Sequence, residues 1–167
     1  MPHPLLGLPP ADATAGSPRA AASLRAQRTR VAEVALQATL RIDPTFGERH
    51  DELALRRILR DEDRHLEQLA RALETGEERF VTDYGEHIVP IYRRRGIRMN
   101  DYATILAGLR EATLAALPSE DAPTATVLID RWIERVRHHR RLPGDHKGNA
   151  LVRFIWKGAG LGDDTVV

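Results

Sequence analysis

Residues 56–75 read RRILRDEDRHLEQLARALET and have the clearest helical periodicity in the chain. Apolar side chains recur there three and four residues apart, which places them on one face of an α-helix. The pattern begins near Glu48, and Gly76 marks its end because glycine readily adopts the left-handed conformation that closes helices. We therefore predict a helix over residues 48–75 with one buried face. The apolar side chains of that face are Leu55, Ile58, Leu59, Leu66, Leu69, Ala70 and Leu73.

Four further stretches have apolar residues at helical spacing, and no segment of useful length alternates apolar and polar residues as a strand does. These stretches cover residues 20–42, 77–95, 100–118 and 123–141. Pro90 lies inside the second of them, so we expect a kink or an early break there. Short connections between amphipathic helices are typical of helical bundles. The predicted fold is a single all-α domain of about five helices, packed as an antiparallel bundle or in a globin-like manner.

The two ends of the chain differ in composition from its middle. Residues 1–23 contain five prolines and no basic leading segment, so we predict a flexible arm and not a secretory signal. Residues 24–142 form the predicted helical domain, and residues 143–167 form a glycine-rich tail. The absence of cysteine excludes disulfides and thiolate metal sites. Because no apolar run approaches the ~20 residues that span a bilayer, we expect a cytoplasmic protein.

Two ionisable residues interrupt the apolar faces of the predicted helices. At 100° per residue, Glu62 lies between Leu59 and Leu66, and His87 lies between Tyr84 and Ile91. Both side chains are therefore expected to point towards the core, where an unpaired carboxylate is costly. Glu62 should find a donor or be neutral, and the site is either a hydrogen bond that fixes helix packing or a ligand- or pH-responsive switch. The residues predicted to form this buried polar site are Glu62, His65, Tyr84 and His87.

The spacing Glu62-x-x-His65 also occurs in di-iron carboxylate bundles. Those sites require a second such motif and two further glutamates on facing helices, which this sequence does not supply. We therefore expect no cofactor, and keep iron or manganese at Glu62 and His65 of a ferritin-like bundle as the alternative. The chain has no glycine-rich phosphate loop, nucleophile elbow or His-Glu-x-x-His motif, so no enzymatic activity is expected. The remaining carboxylate and histidine pairs are Glu86–His87 and Glu134-x-x-x-His138.

One set of positions runs through residues 61–110. It consists of Asp61, His65, Leu66, Leu69, Ala72, Leu73, Gly76, Phe80, Asp83, Tyr84, Arg95, Gly96, Ile97, Asp101, Leu106, Leu109 and Arg110. This set resembles the all-helical sensory domain of bacterial cobalamin-binding and stressosome-type regulators. The resemblance implies a regulatory helical module whose output lies in another chain. Asp145-His146-x-Gly148 has the wrong spacing for the cobalamin-ligating Asp-x-His-x-x-Gly motif, so cobalamin binding is not expected.

The tail contains a compact apolar and aromatic run between glycines. Large aromatic side chains supply much of the anchoring energy at protein interfaces, so this run is predicted to dock onto a protein partner or to fold back onto its own helices. Acidic residues predominate over residues 42–90 and basic residues over 91–160, which is compatible with homo-oligomerisation. Nucleic-acid binding and peripheral membrane contact are not expected. The predicted partner-binding residues are Leu151, Val152, Arg153, Phe154, Ile155, Trp156 and Lys157.

The sequence thus predicts a non-enzymatic helical regulatory or adaptor protein that acts through protein–protein binding, as a subunit of a larger assembly.

Overall fold

The computed structural model describes residues 16–140, and every regular element within that range is an α-helix. The predicted all-α class is confirmed. The predicted number of about five helices is wrong, since the described residues form seven. The helices are α1 (Pro18–Ala26), α2 (Arg28–Ile42), α3 (Phe46–Arg49), α4 (Glu52–Thr75), α5 (Arg79–Arg94), α6 (Met99–Ala116) and α7 (Ala122–Arg140).

The two additional helices arise at interruptions that periodicity does not reveal. The predicted helix over residues 20–42 is divided at Gln27, whose backbone leaves the helical conformation at φ −119° and ψ 16°. The predicted helix over residues 48–75 is preceded by the separate α3. The α4 helix starts at Glu52 because the side chain of Asp51 accepts a hydrogen bond from the Ala54 backbone N–H at 2.7 Å. At its other end Gly76 adopts φ 74°, as predicted.

The α1 helix includes residues that the composition predicted to be part of a flexible arm, and this prediction is wrong for residues 18–23. Pro18 begins the helix without cost because the first N–H of a helix has no intrahelical partner. Ser17 caps the same end by accepting a hydrogen bond from the Ala20 backbone N–H at 3.3 Å. The helix lies against α4. Its buried side chains are Ala20, Ala21 and Leu24.

The long α4 helix contacts α1, α2, α5 and α7, while α6 packs against α2 and α7. Two glycines allow close approach between helices. A Cβ atom at Gly108 of α6 would lie 2.3 Å from the Thr39 hydroxyl of α2. One at Gly85 of α5 would lie 2.6 Å from Nε1 of Trp132 on α7. The second contact matters for the site, because it brings the α5 backbone directly onto the Trp132 indole.

The α5 helix runs without interruption from Arg79 to Arg94 although it contains Pro90. The predicted early break therefore does not occur. Pro90 is exposed, so its ring does not disturb the packed face of the helix. The chain turns only after α5, where Gly96 adopts φ 75°. None of the helices within residues 16–140 has the length and apolar character needed to cross a membrane.

Candidate functional site

Glu62 and His65 lie one turn apart on the buried face of α4, and both side chains are 0% exposed. Their neighbours on that face, Ile58, Leu66 and Leu69, are also fully buried. The two polar side chains are buried because they share one face of the helix with these three apolar residues. The predicted site residues Glu62 and His65 are buried as expected.

His65 bonds to two tyrosines of α5. Its Nδ1 lies 3.1 Å from the Tyr84 hydroxyl, and its Nε2 lies 3.1 Å from the Tyr92 hydroxyl. A neutral imidazole suits this arrangement, since one nitrogen donates to a tyrosine oxygen while the other accepts a hydroxyl proton. Burial, with a smaller contribution from Arg64, lowers the pKa of His65 from 6.5 to about 3. His65 is therefore uncharged at neutral pH.

Four aromatic rings surround the His65 imidazole. Their centroids lie 5.5 Å (Tyr84), 6.1 Å (Tyr92), 5.7 Å (Tyr102) and 5.2 Å (Trp132) from that of His65. These distances fall in the range of favourable edge-to-face and tilted aromatic contacts. The indole Nε1–H of Trp132 donates to the Tyr102 hydroxyl at 3.1 Å. We call Glu62, His65 and these four aromatic residues the core cluster, which draws on α4, α5, α6 and α7.

Among residues 16–140, neither carboxyl oxygen of Glu62 has a hydrogen-bond partner. Burial, and secondarily the negative charge of Asp61, raise the pKa of Glu62 well above 4.5. Two arginines pair instead with the adjacent Asp61: Arg95 Nη1 lies 2.7 Å from Asp61 Oδ2, and Arg64 Nη1 lies 3.5 Å from Asp61 Oδ1. Glu62 is thus a buried carboxyl group whose charged form no neighbouring cation offsets.

The prediction that His87 points towards the core is wrong, because His87 is exposed. The sequence pattern placed His87 on the inward face of α5, between Tyr84 and Ile91. The buried face in the structure lies one residue further along the helix. A shift of one residue turns a helical face by about 100°, which moves His87 to the surface and leaves Tyr84 half-buried at the edge. The buried residues of α5 are Val81, Gly85, Ile88, Val89 and Tyr92.

Three members of the core cluster were missed as site residues. Tyr92, Tyr102 and Trp132 lie in stretches that were predicted to be helical but were not among the predicted site residues. A usable signal was present, because a tyrosine or tryptophan at a buried helical position must find a partner for its O–H or N–H group. Which groups bond to each other depends on how the four helices pack, and the apolar pattern within one helix does not predict that packing.

The arrangement also bears on the metal alternative. The helices facing Glu62 and His65 present tyrosine hydroxyls and an indole in place of carboxylates. Glu86 is directed to His139, whose Nε2 lies 2.6 Å from its Oε2, and to Arg135 at 3.1 Å. Within residues 16–140, no three or more histidine, aspartate or glutamate side chains are grouped so that they could hold a metal ion.

A second buried carboxyl group, Asp101 at the start of α6, is fully paired. Its Oδ1 lies 2.9 Å from Arg49 Nη2, and its Oδ2 lies 3.1 Å from His50 Nε2 and 3.4 Å from Arg98 Nε. These contacts tie the α3 region to α6. The contrast with Glu62 is informative, because the part of the chain that the structure describes supplies three cationic or imidazole partners to Asp101 and none to Glu62.

The predicted docking residues 151–157 lie outside the described residues. No family model matches the chain, and comparison with curated protein sequences finds no significant match. The resemblance to sensory domains of cobalamin-binding and stressosome-type regulators therefore stays a prediction. Over residues 16–140 the fold and the site define an all-helical structure with a polar and aromatic cluster in its core.

Proposed function

We propose that this chain is a non-enzymatic regulatory or adaptor protein that acts by binding another protein, and that the core cluster controls the arrangement of its helices. The observation that carries the proposal is the buried Glu62 carboxyl group, for which residues 16–140 supply no hydrogen-bond partner. A buried polar group without a partner costs about 1–3 kcal/mol. An apolar residue of similar size would avoid this cost, so Glu62 destabilises the arrangement of the helices seen in the structure. We call this arrangement closed.

A conformation that hydrates Glu62 recovers the lost solvation. The free-energy gap between the closed arrangement and such an open one is thereby reduced, which is the property that a two-state regulatory element needs. The same cluster joins α4 to α5, α6 and α7, so a change at Glu62 affects the positions of several helices. These features support regulation through altered helix packing.

The position of the cluster favours regulation over catalysis. Glu62 and His65 are fully buried, and both ring nitrogens of His65 are engaged by tyrosine hydroxyls. A general acid or base must come within hydrogen-bonding reach of its substrate. In this helix arrangement no substrate reaches either side chain. The ferritin-like alternative has no specific observation in its favour among the described residues.

We place the contact with the partner in residues 151–157 of the tail, on the strength of their sequence. Phe154 and Trp156 supply the large rigid side chains that most often anchor interfaces. Both residues follow α7, whose inner face carries Trp132 of the core cluster. The chain therefore links α7 covalently to residues 151–157, and we propose that a change in the packing of α7 affects this segment.

The proposal is tested by recovering partners with the full-length chain as bait. We expect a protein that co-purifies reproducibly with the wild type, is lost with the double variant Phe154→Ala/Trp156→Ala, and changes in yield with Glu62→Gln. Recovery of the same protein in the same yield by all three baits would contradict the proposal. Metal analysis of the same preparations addresses the alternative: stoichiometric iron or manganese that Glu62→Gln removes would establish the metal-binding bundle instead.

A further inference from the structure

Polar contacts join α4 to α5 on both sides of Glu62 along α4. His65 bonds to Tyr84 and to Tyr92, and Asp61 pairs with Arg95 just beyond the end of α5. We call these contacts the α4–α5 seam. Tyr84 is half-buried while Tyr92 is fully buried, so the seam leads from the surface into the core.

The groups that face the seam favour the uncharged form of Glu62. On α4 the neighbouring carboxylate of Asp61 repels a second negative charge and takes up Arg95 and Arg64. The titratable groups that α5 and α6 contribute to the core cluster are the phenols Tyr84, Tyr92 and Tyr102. Burial raises the pKa of each, so all three are neutral near pH 7. None of these groups supplies a positive charge to a Glu62 carboxylate.

The remaining helices that pack on α4 do not change this balance. On the α1 and α2 side, two arginines form ion pairs with acidic residues of α4 that are not members of the core cluster. On the α7 side, Trp132 enters the cluster and does not titrate, while two arginines pair with a glutamate of α5 and with the glutamate that precedes α5. These surface pairs join Arg25 and Arg28 to Asp63, Glu67 and Glu74, and Arg131 and Arg135 to Glu78 and Glu86.

We propose that the α4–α5 seam is a proton-controlled latch, closed while Glu62 carries its proton and opened when Glu62 ionises and becomes hydrated. This inference rests on the proposed regulatory function and names its input. The driving force is geometric: in the closed seam Glu62 is 0% exposed and no side chain among residues 16–140 pairs with its carboxyl group, whereas displacement of α5 exposes it to solvent. The proton leaves Glu62 for solvent as the seam opens, so alkaline conditions favour the open form.

The ratio of open to closed protein should depend on pH in a defined way. A hydrated Glu62 loses its proton near pH 4.5, whereas the closed form retains it to a much higher pH. Between these limits each rise of one pH unit increases the ratio of open to closed protein about tenfold, because one proton is released per opening event. Below pH 4.5 the ratio does not depend on Glu62.

Amide hydrogen exchange of the full-length protein measures this ratio directly, since opening of the seam exposes amides of α5. After correction for the intrinsic effect of pH, we expect exchange of α5 amides from 81 to 92 in the wild type to rise about tenfold per pH unit from pH 6 upward. Glu62→Gln should abolish that rise, and Asp83→Asn, which alters an exposed carboxyl group on the same helix, should retain it.

Identical pH dependence in the wild type and Glu62→Gln would overturn the latch. Glu62→Leu serves as a second variant without a titratable group, and must also show no rise. If either variant fails to fold, the other decides the outcome, and a wild type with pH-independent exchange overturns the proposal without any variant. Because no partner enters the measurement, its failure is distinguishable from failure of the proposed function, which depends on partner recovery.

Discussion

Acid lability of the folded protein is the prediction that depends most directly on His65. In the unfolded chain the imidazole takes up a proton near pH 6.5, whereas the folded protein resists protonation until about pH 3. Above pH 6.5 the histidine is neutral in both states and has no effect on stability. As the pH falls below 6.5, the unfolded state binds a proton that the folded state does not, so the free energy of unfolding decreases.

The size of this effect follows from the interval between the two pKa values. At pH 4 the protein is about 2.5 pH units below the unfolded pKa, and each unit is worth about 1.4 kcal/mol, so His65 lowers the free energy of unfolding by about 3 kcal/mol. That is a large part of the about 5–15 kcal/mol typical of a folded domain. The loss is complete near pH 3, where the folded state also becomes protonated.

Urea denaturation followed by far-ultraviolet circular dichroism at pH 7, 6, 5 and 4 provides the measurement. Between pH 7 and 4, the wild type should lose about 3 kcal/mol more than His65→Gln, whatever the difference between them at pH 7. The matched control is His87→Gln, because His87 is exposed on α5, and its profile should run parallel to that of the wild type. Parallel profiles for the wild type and His65→Gln would show that the folded protein does not keep His65 neutral below pH 6.5.

Three further predictions concern other features of the core. Glu62→Gln should gain stability relative to the wild type by about 1.4 kcal/mol per pH unit above pH 4.5 until the raised pKa is reached; equal stability differences at pH 5 and 8 in urea titrations would argue against a neutral Glu62. Gly85→Ala should lower the free energy of unfolding by about 2 kcal/mol, because its Cβ overlaps the Trp132 indole, whereas Gly47→Ala, which has room, should be nearly neutral in the same assay. Asp101→Asn should cost about 3 kcal/mol, because it removes the charge that a set of buried ion pairs shares; a loss below 1 kcal/mol by thermal or urea denaturation would show that these pairs contribute little.

The sequence predicted the structure well where a long amphipathic pattern is followed by a residue that terminates helices. The α4 helix satisfies both conditions, and its buried face, its end at Gly76 and the burial of Glu62 follow from local rules. Such rules operate within one helix, so they succeed when the face is wide and strongly apolar. The all-α class follows for the same reason, since every stretch with clear periodicity has the helical period.

The errors arose where packing between helices decides the outcome. Gln27 has no strong breaking tendency, so the division between α1 and α2 was not visible. The packed face of α5 is set by the contact of Gly85 with Trp132 and by Tyr92 reaching His65. A glycine contributes nothing to an apolar stripe, and a tyrosine contributes ambiguously. The sequence pattern therefore selected a neighbouring face and placed His87 inside.

Both the regulatory proposal and the latch require that Glu62 is a neutral carboxylic acid in the folded protein at neutral pH. Its protonation state can be observed through the side-chain carboxyl carbon resonance of Glu62 in carbon-13 labelled protein, assigned by its disappearance in Glu62→Gln and followed from pH 5 to 9. We expect the chemical shift of a protonated carboxyl group at pH 7, with a change only at higher pH. A shift typical of a carboxylate at pH 7, with a titration midpoint near 4.5, would contradict this expectation.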